Sequence, residues 1–294
     1  MKTMKQGYEN LIKGEENMSF KIVGDSCCDF TEDYKEKSYI INIPLTIEVG
    51  DYKIIDDDSF NQREFLDKVS EYSGCPRSAC PSPEFYKEAY QGVDDVYVVT
   101  LSSKLSGSYN SARVAADLYK EENPNANVHV FDSEGAASKQ FLLVQEIEKL
   151  ASEGLPFSKV VEEVEKVNKG QEILFVLGTI EILRKNGRLP LVKATIAEVL
   201  NIKPLLCGEH GEIKHVAQGR GVKKALEKLV DHVGTLEKNY SERKLMISHC
   251  DCYERAKELG ETLLKRYHFK ELQVIEARGI TSLYAADGGV IVSF

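Results

Sequence analysis

Apolar positions along this chain follow two rhythms. Short apolar runs rich in β-branched residues occur at 20–24, 96–101, 127–131 and 173–177, the length and make-up of strands buried within a parallel sheet. Between them, apolar residues return every three or four positions: Phe65, Leu66 and Val69 in 61–72, Phe141, Leu142, Val144 and Ile147 in 139–152, and Val160, Val161, Val164 and Val167 in 158–168. That spacing predicts helices with one buried stripe. Strands alternating with helices predict an α/β lobe built on a mostly parallel sheet.

Turn residues divide the remainder. Extended runs at 39–49 and 52–55 flank Gly50-Asp51 and predict a hairpin. Three prolines in 75–83 forbid a helix interior and predict a rigid loop, after which 84–90 restarts a short helix. The second half reads as a strand at 173–177, a short helix at 179–185 closed by Asn186-Gly187, and a helix at 192–200. Hairpin-like runs follow at 203–206 and 212–216, then helices at 222–236 and 253–267, with strands at 245–248, 273–276 and 290–294. Residues 1–17 are polar and mixed in charge and predict a mobile extension. The chain then divides into an N-terminal lobe, 18–169, and a C-terminal lobe, 170–294. There is no internal repeat.

Composition narrows the function classes. The 294 residues are 42% hydrophobic and 29% charged, ordinary for a globular protein with room for two cores. No apolar run approaches a membrane span, so stable membrane insertion is not expected. The net charge of −9 argues against nucleic acid, whose phosphates require clustered positive charge. Seven cysteines, with Cys27-Cys28 adjacent and Cys250 two residues from Cys252, are poorly spaced for disulfides and point to a reducing cytoplasm. His249, Cys250 and Cys252 offer only one tight cysteine pair, short of the two pairs of a structural zinc site, so no metal is expected.

The candidate chemistry lies in Ser102-Ser103-Lys104-Leu105-Ser106-Gly107-Ser108, between the strand at 96–101 and a helical pattern at 112–119 that Ser106 is placed to cap. A strand entering a helix N-terminus through serine and glycine is an anion site, because unpaired N–H groups and the positive end of the dipole face outward. Gly107 permits close approach of a ligand to the backbone. Asp25-Ser26 and Asp132-Ser133 end two other strands, so three strand ends are aimed at one crevice. A serine-dependent hydrolase using this loop lacks the glycine of a nucleophile elbow and a histidine in a triad frame. A small-molecule phosphotransferase is the other enzymatic reading, since helix N-termini hold phosphates as readily as carboxylates.

The run from Ser102 to Ala112 resembles the signature of the DegV family, bacterial proteins that bind long-chain fatty acids. The resemblance extends to Val23-Gly24-Asp25-Ser26, to Ser78-Ala79-Cys80-Pro81-Ser82-Pro83, to Phe131-Asp132-Ser133, and to Thr179 through Leu189 followed by Leu200 through Leu205. It implies a two-lobe α/β fold whose N-terminal lobe has a mostly parallel sheet flanked by helices and whose C-terminal lobe has a mixed sheet. It further implies one long-chain fatty acid between the lobes, with no other cofactor. By position, Ser78 stands for the family's head-group threonine and Ser102 or Ser103 for its loop serine, supported by Ser106 and the N–H groups around Gly107. The family's C-terminal histidine motif is replaced by Tyr284-Ala285-Ala286-Asp287-Gly288-Gly289, which places Tyr284 where the histidine would stand and leaves two glycines for backbone approach to the ligand. Arg184 and Arg188 would border the mouth, where a fatty acid kinase docks to phosphorylate the carboxylate. On this reading the chain is a cytoplasmic carrier and not the catalyst.

Overall fold

The computed structural model describes residues 19–189 and 201–294; the expected extension at 1–17 and helix at 192–200 lie outside them. β1 (Phe20–Asp25) passes through a single 3-10 turn and α1 (Glu32–Lys35) into β2 (Ile40–Ile43). Then come β3 (Thr46–Val49), β4 (Tyr52–Ile55), α2 (Gln62–Glu71), β5 (Arg77–Ala79) and α3 (Pro83–Ala89). β6 (Asp95–Thr100), α4 (Ser108–Glu122), β7 (Asn127–Asp132), α5 (Ser138–Ser152) and α6 (Phe157–Gly170) complete the first half. The second half runs β8 (Ile173–Val176), α7 (Glu181–Lys185), β9 (Ile202–Glu209), β10 (Glu212–Arg220), α8 (Gly221–Val233) and β11 (Lys244–His249). It closes with α9 (Tyr253–Tyr267), β12 (Glu271–Glu276), α10 (Gly279–Ala285) and β13 (Val290–Ser293).

The predicted parallel sheet forms in the order β2-β1-β6-β7, with every pairing parallel. The chain leaves β1 toward β2 on one side and returns to β6 on the other, so the topological switch point falls between the carboxyl ends of β1 and β6. In open α/β sheets that is where a crevice opens. The second sheet is mixed, in the order β10-β9-β8-β13-β11-β12, and only β11 and β12 run parallel. Its hairpin between β9 and β10 is longer than the 203–206 and 212–216 runs predict, and turns through His210 and Gly211, both at positive φ.

Two expectations are corrected in the first half. The run at 39–49 is not one strand. Pro44 breaks it, leaving β2 in the parallel sheet while β3 pairs antiparallel with β4 in a separate small sheet, β4-β3-β5. The third strand of that sheet lies inside the proline-rich stretch expected to be only a loop: Ser78 pairs with Ile47 and Ala79 with Thr46. Prolines at 76 and 81 bracket the strand without entering it, so its ladder bonds survive.

α5 differs from an ordinary surface helix. Ser138 through Val144 are all buried, on every side of the helix axis, because α5 packs against β1 and β6 of the parallel sheet and against β11 and β13 of the mixed one. A helix buried all round belongs to the interior of a protein. Its Phe141, Leu143, Val144 and Ile147 share a core with Ile22, Tyr97 and Val99 of the parallel sheet and with Met246 and Ile275 of the mixed sheet. Phe141 also meets Phe30 and Tyr34 edge-on at ring-centroid separations of 5.8 and 4.7 Å, geometry that favours aromatic pairs.

Phe141→Ala is therefore expected to destabilise the protein by about 3–5 kcal/mol, the usual cost of truncating a buried phenylalanine. Urea unfolding of the two proteins measures this. A loss below about 1 kcal/mol would mean that the helix is not wedged between the sheets as described.

Candidate functional site

At the switch point the backbone is stitched before any ligand is considered. Asp25 is fully buried, and its carboxylate accepts hydrogen bonds from the N–H of Leu101 at 2.8 Å, the N–H of Cys27 at 3.2 Å and the side-chain amide of Gln140 at 3.0 Å. The other strand ends are braced in the same way. Ser102 N–H donates to the Gly135 carbonyl, Ser103 N–H to Asp132 Oδ1, and Ser133 N–H to the Thr100 carbonyl. The three strand ends do converge, but largely by binding one another.

Beside this stitching lies a cavity of about 330 Å³. Its walls come from both halves of the chain: Leu45, Leu101 and Leu105 from the first, and Ile173, Phe175, Leu177, Ile213 and Ile291 from the second. Most of these belong to one continuous core. Hydroxyls, backbone and one guanidinium gather at Ser78, Ser106, Gly107, Arg188, Thr281 and Tyr284.

The expected site residues separate into two groups. Ser78, Ser106, Gly107 and Tyr284 line the cavity. Ser78 Oγ and the Tyr284 hydroxyl are 2.8 Å apart, although 206 positions separate them in sequence. Ser106 Oγ lies 3.0 Å from Ser108 Oγ and accepts the Ser108 N–H at 3.2 Å, but the N-cap of α4 is Gly107 and not, as the sequence predicts, Ser106: the serine stands one position outside the helix and holds its first residue through a short local turn. Ser102 and Ser103 are not among the lining residues. The Ser102 hydroxyl donates to the Gly211 carbonyl at 2.7 Å and is fully buried, tying the β9–β10 turn to the serine loop, while the Ser103 side chain faces solvent. The two tail glycines also stand elsewhere: Gly288 packs on Arg255 and Gly289 on the Ala285 carbonyl.

Arg184 and Arg188 part company. Arg184 lies on the exposed face of α7, paired with Glu181 at 2.9 Å. Arg188 turns inward to line the cavity, and its Nε donates to the Leu105 carbonyl at 3.3 Å, joining the turn after α7 to the serine loop. The Asn186 side chain adds a 2.9 Å bond to the Pro76 carbonyl, just before β5. Thr281 and Cys27 are site residues that the sequence does not reveal. Thr281 lies one helical turn before Tyr284 on α10, with its hydroxyl 3.7 Å from Cys27 Sγ. The spacing of Thr281 and Tyr284 is a helical signal, but α10 is buried on nearly all sides and shows no polar stripe to reveal it.

α10 is held by carboxylates. Asp56 accepts the N–H groups of Gly279 at 2.8 Å and Ile280 at 2.9 Å, and Asp29 accepts that of Arg278 at 2.7 Å. These are the otherwise unpaired donors of a helix start. Burial pushes the carboxyl of Asp25 up to about 6, against hydrogen bonds from Gln140, Leu101 and Cys27 that favour its anion. Burial likewise takes Asp29 up to about 8, outweighing the Arg278 N–H, with Asp56 nearby adding repulsion. Asp56 is also raised by burial. At the other candidate cluster, His249 Nδ1 accepts the Cys252 N–H at 3.4 Å and Cys252 Sγ lies 3.5 Å from the Gly289 carbonyl.

Known proteins share this fold. A model of the DegV family, described as uncharacterised protein, matches residues 19–294. A DegV domain-containing protein of Streptococcus gordonii is 35% identical over 280 residues, covering 94% of this chain and 99% of that one. The crystal structure of a DegV-family protein from Ruminococcus gnavus, with vaccenic acid, superposes with a TM-score of 0.91 at 40% identity, covering 95% of this chain and 100% of that one. The Streptococcus pneumoniae fatty acid kinase (Fak) B3 protein, loaded with linoleic acid, matches with a TM-score of 0.87 at 30% identity, covering 94% and 99%. The chain belongs to the DegV family.

The raised carboxyls carry a prediction for stability. A carboxyl whose folded pKa is raised still holds a proton that the unfolded chain has released, so its contribution is complete below about pH 4 and is lost as pH rises through the folded value. For Asp25 and Asp29 that window spans roughly pH 4 to 8. The urea midpoint is expected to fall across this range, and Asp29→Asn, which cannot ionise, to flatten the upper part of the fall. An equally steep fall in the variant would place the proton elsewhere.

Proposed function

We propose that this DegV-family chain buries one long-chain fatty acid in the cavity between its two lobes, divided near residue 170, and presents the carboxylate to a fatty acid kinase. One observation carries the reading: a cavity walled mainly by aliphatic side chains, whose lining also includes a paired serine and tyrosine, the start of α4 and an arginine. An acyl chain matches the aliphatic walls. Each buried CH₂ contributes about 0.8 kcal/mol, so a chain of about sixteen carbons supplies on the order of 10 kcal/mol before the costs of ordering and association. A carboxylate taken from water must find hydrogen bonds, and Ser78, Tyr284 and Ser106 supply hydroxyl donors while Arg188 supplies charge.

The relatives support this reading, two of them being crystal structures with a fatty acid bound. The fatty acid kinase named with the pneumococcal protein supports a kinase as the partner, and the exposed Arg184 on α7 is the surface offered to it. The same loop is arranged differently from an activated nucleophile: Ser106 Oγ is engaged with the N–H and hydroxyl of Ser108, and among the described residues no histidine is bonded to it. Seven free cysteines fit a reducing cytoplasm. No helix among the described residues is long and apolar enough to cross a membrane.

Protein purified from cells is expected to carry about one equivalent of fatty acid by native mass spectrometry, and delipidated protein to take up palmitate or oleate. An empty organic extract together with no uptake would overturn the assignment.

Among the hydroxyls, Ser78→Ala, Ser106→Ala and Tyr284→Phe are each expected to weaken binding by about 1.5–3 kcal/mol, the worth of a hydrogen bond to a charged group. Ser103→Ala is expected to bind as the parent does, because its side chain faces solvent. Titration of delipidated variants distinguishes them. Loss of affinity at Ser103 with none at Ser106 would move the head group to the other side of the loop.

A further inference from the structure

Ser78 and Tyr284 come from distant parts of the chain, and the small sheet β4-β3-β5 is what relates them. Ser78 sits on β5, paired with Ile47 of β3. On the other side of β3, Thr46 pairs with Ile55 at the end of β4, and the next residue is Asp56. The Asp56 N–H is fixed on the Leu45 carbonyl at 2.9 Å. Its carboxylate then reaches into the second half of the chain, with Oδ1 on the Gly279 N–H and Oδ2 on the Ile280 N–H. Tyr284 lies about one turn further along α10, and its hydroxyl returns to Ser78. The path is a closed ring: Ser78, β5, β3, β4, Asp56, α10, Tyr284, Ser78.

The clamp is close-fitting. A Cβ on Gly279 would stand 2.6 Å from Asp56 Oδ1 and 2.7 Å from its Cγ, so only glycine lets the carboxylate approach the helix start this closely. Asp56 is fully buried and does not line the cavity.

We infer that Asp56 is a positioning residue for the ligand head group: by clamping α10 to the sheet that carries Ser78, it sets the spacing at which the Ser78 and Tyr284 hydroxyls meet a carboxylate. The inference rests on the fatty-acid reading above for what the pair binds. The geometry of the pair stands without it.

The test is a double-mutant cycle on delipidated protein, with Asp56→Asn, Tyr284→Phe and their combination titrated with oleate. An asparagine side chain keeps one acceptor oxygen and replaces the other with a donor, so one of the two N–H groups loses its partner. Asp56→Asn is expected to weaken binding about tenfold, the scale of one lost hydrogen bond to a charged group, and Tyr284→Phe to add almost nothing in that background. Leu229→Ala, a truncation in the core beneath α8 and remote from the cavity, controls for lost stability. In that background the full Tyr284→Phe penalty should persist. If Asp56→Asn does not fold, Gly279→Ala displaces the same clamp and carries the same expectation.

A readout without ligand separates the two readings. Fluorotyrosine placed at 284 should give one narrow ¹⁹F line in the parent protein, and a shifted or broadened line in Asp56→Asn or Gly279→Ala but not in Leu229→Ala. That result with no oleate binding by the parent would uphold the positioning role and overturn the ligand. An unchanged line, or penalties that add in full, would overturn the positioning role.

Discussion

The carboxylate of Asp25 is where three parts of this molecule meet. It ends β1, takes the N–H that begins the serine loop after β6, and takes the side chain of Gln140 from the helix wedged between the sheets. A buried carboxylate with fewer donors would be costly, so the three elements are locked in register by the requirement to satisfy it. The consequence is felt along the loop. With Leu101 pinned on Asp25, Ser102 on Gly135 and Gly211, and Ser103 on Asp132, the loop is a bracket whose donors are largely spoken for. What it presents to the cavity is the side chains of Leu101 and Leu105 and, as its polar part, Ser106 and Gly107.

This explains how far the sequence can be read. Apolar rhythm locates the parallel strands and long helices, because burial on two faces of a sheet or along one stripe of a helix leaves a periodic trace. The family signature locates the loop. Neither distinguishes a hydroxyl that faces a cavity from one that has been consumed: Ser102 and Ser106 look equivalent on paper, and only the approach of the Gly211 carbonyl separates them. β5 is hidden for another reason. Three residues between prolines carry no periodicity, and their pairing is decided by β3, some thirty positions upstream. α10 is hidden because a seven-residue helix buried on nearly every side has no polar face to alternate with its apolar one. Resemblance alone therefore sets Tyr284 in a glycine-rich approach to the ligand, whereas it projects from a clamped helix and the glycines pack elsewhere.

The cavity belongs to neither half alone. Leucines from the parallel-sheet half face isoleucines and Phe175 from the mixed sheet, and Arg188, expected as an outward docking residue, joins the wall by bonding to the serine loop. Contacts of this kind make the joint between the halves part of the binding surface. A substitution at the joint can then alter the ligand's surroundings without touching the hydroxyls. Arg184, one turn before Arg188, stays at the surface beside Glu181, so a short stretch of chain faces both the interior and the solvent.

The position of β13 in its sheet bears on how the molecule comes into being. It is the last of these strands in the chain, yet it lies between β8 and β11. Until residues 290–293 are made, the mixed sheet exists only as two unjoined pieces, β10-β9-β8 and β11-β12. Ile291 and Tyr284, which both line the cavity, emerge in the same stretch. A nascent chain on the ribosome can assemble its parallel sheet early, since those strands are complete by residue 132, but it cannot enclose a lipid until residues 290–293 have emerged. Chains ended before β13 are then without this wall of the cavity, and loading with cargo is deferred until that strand is in place.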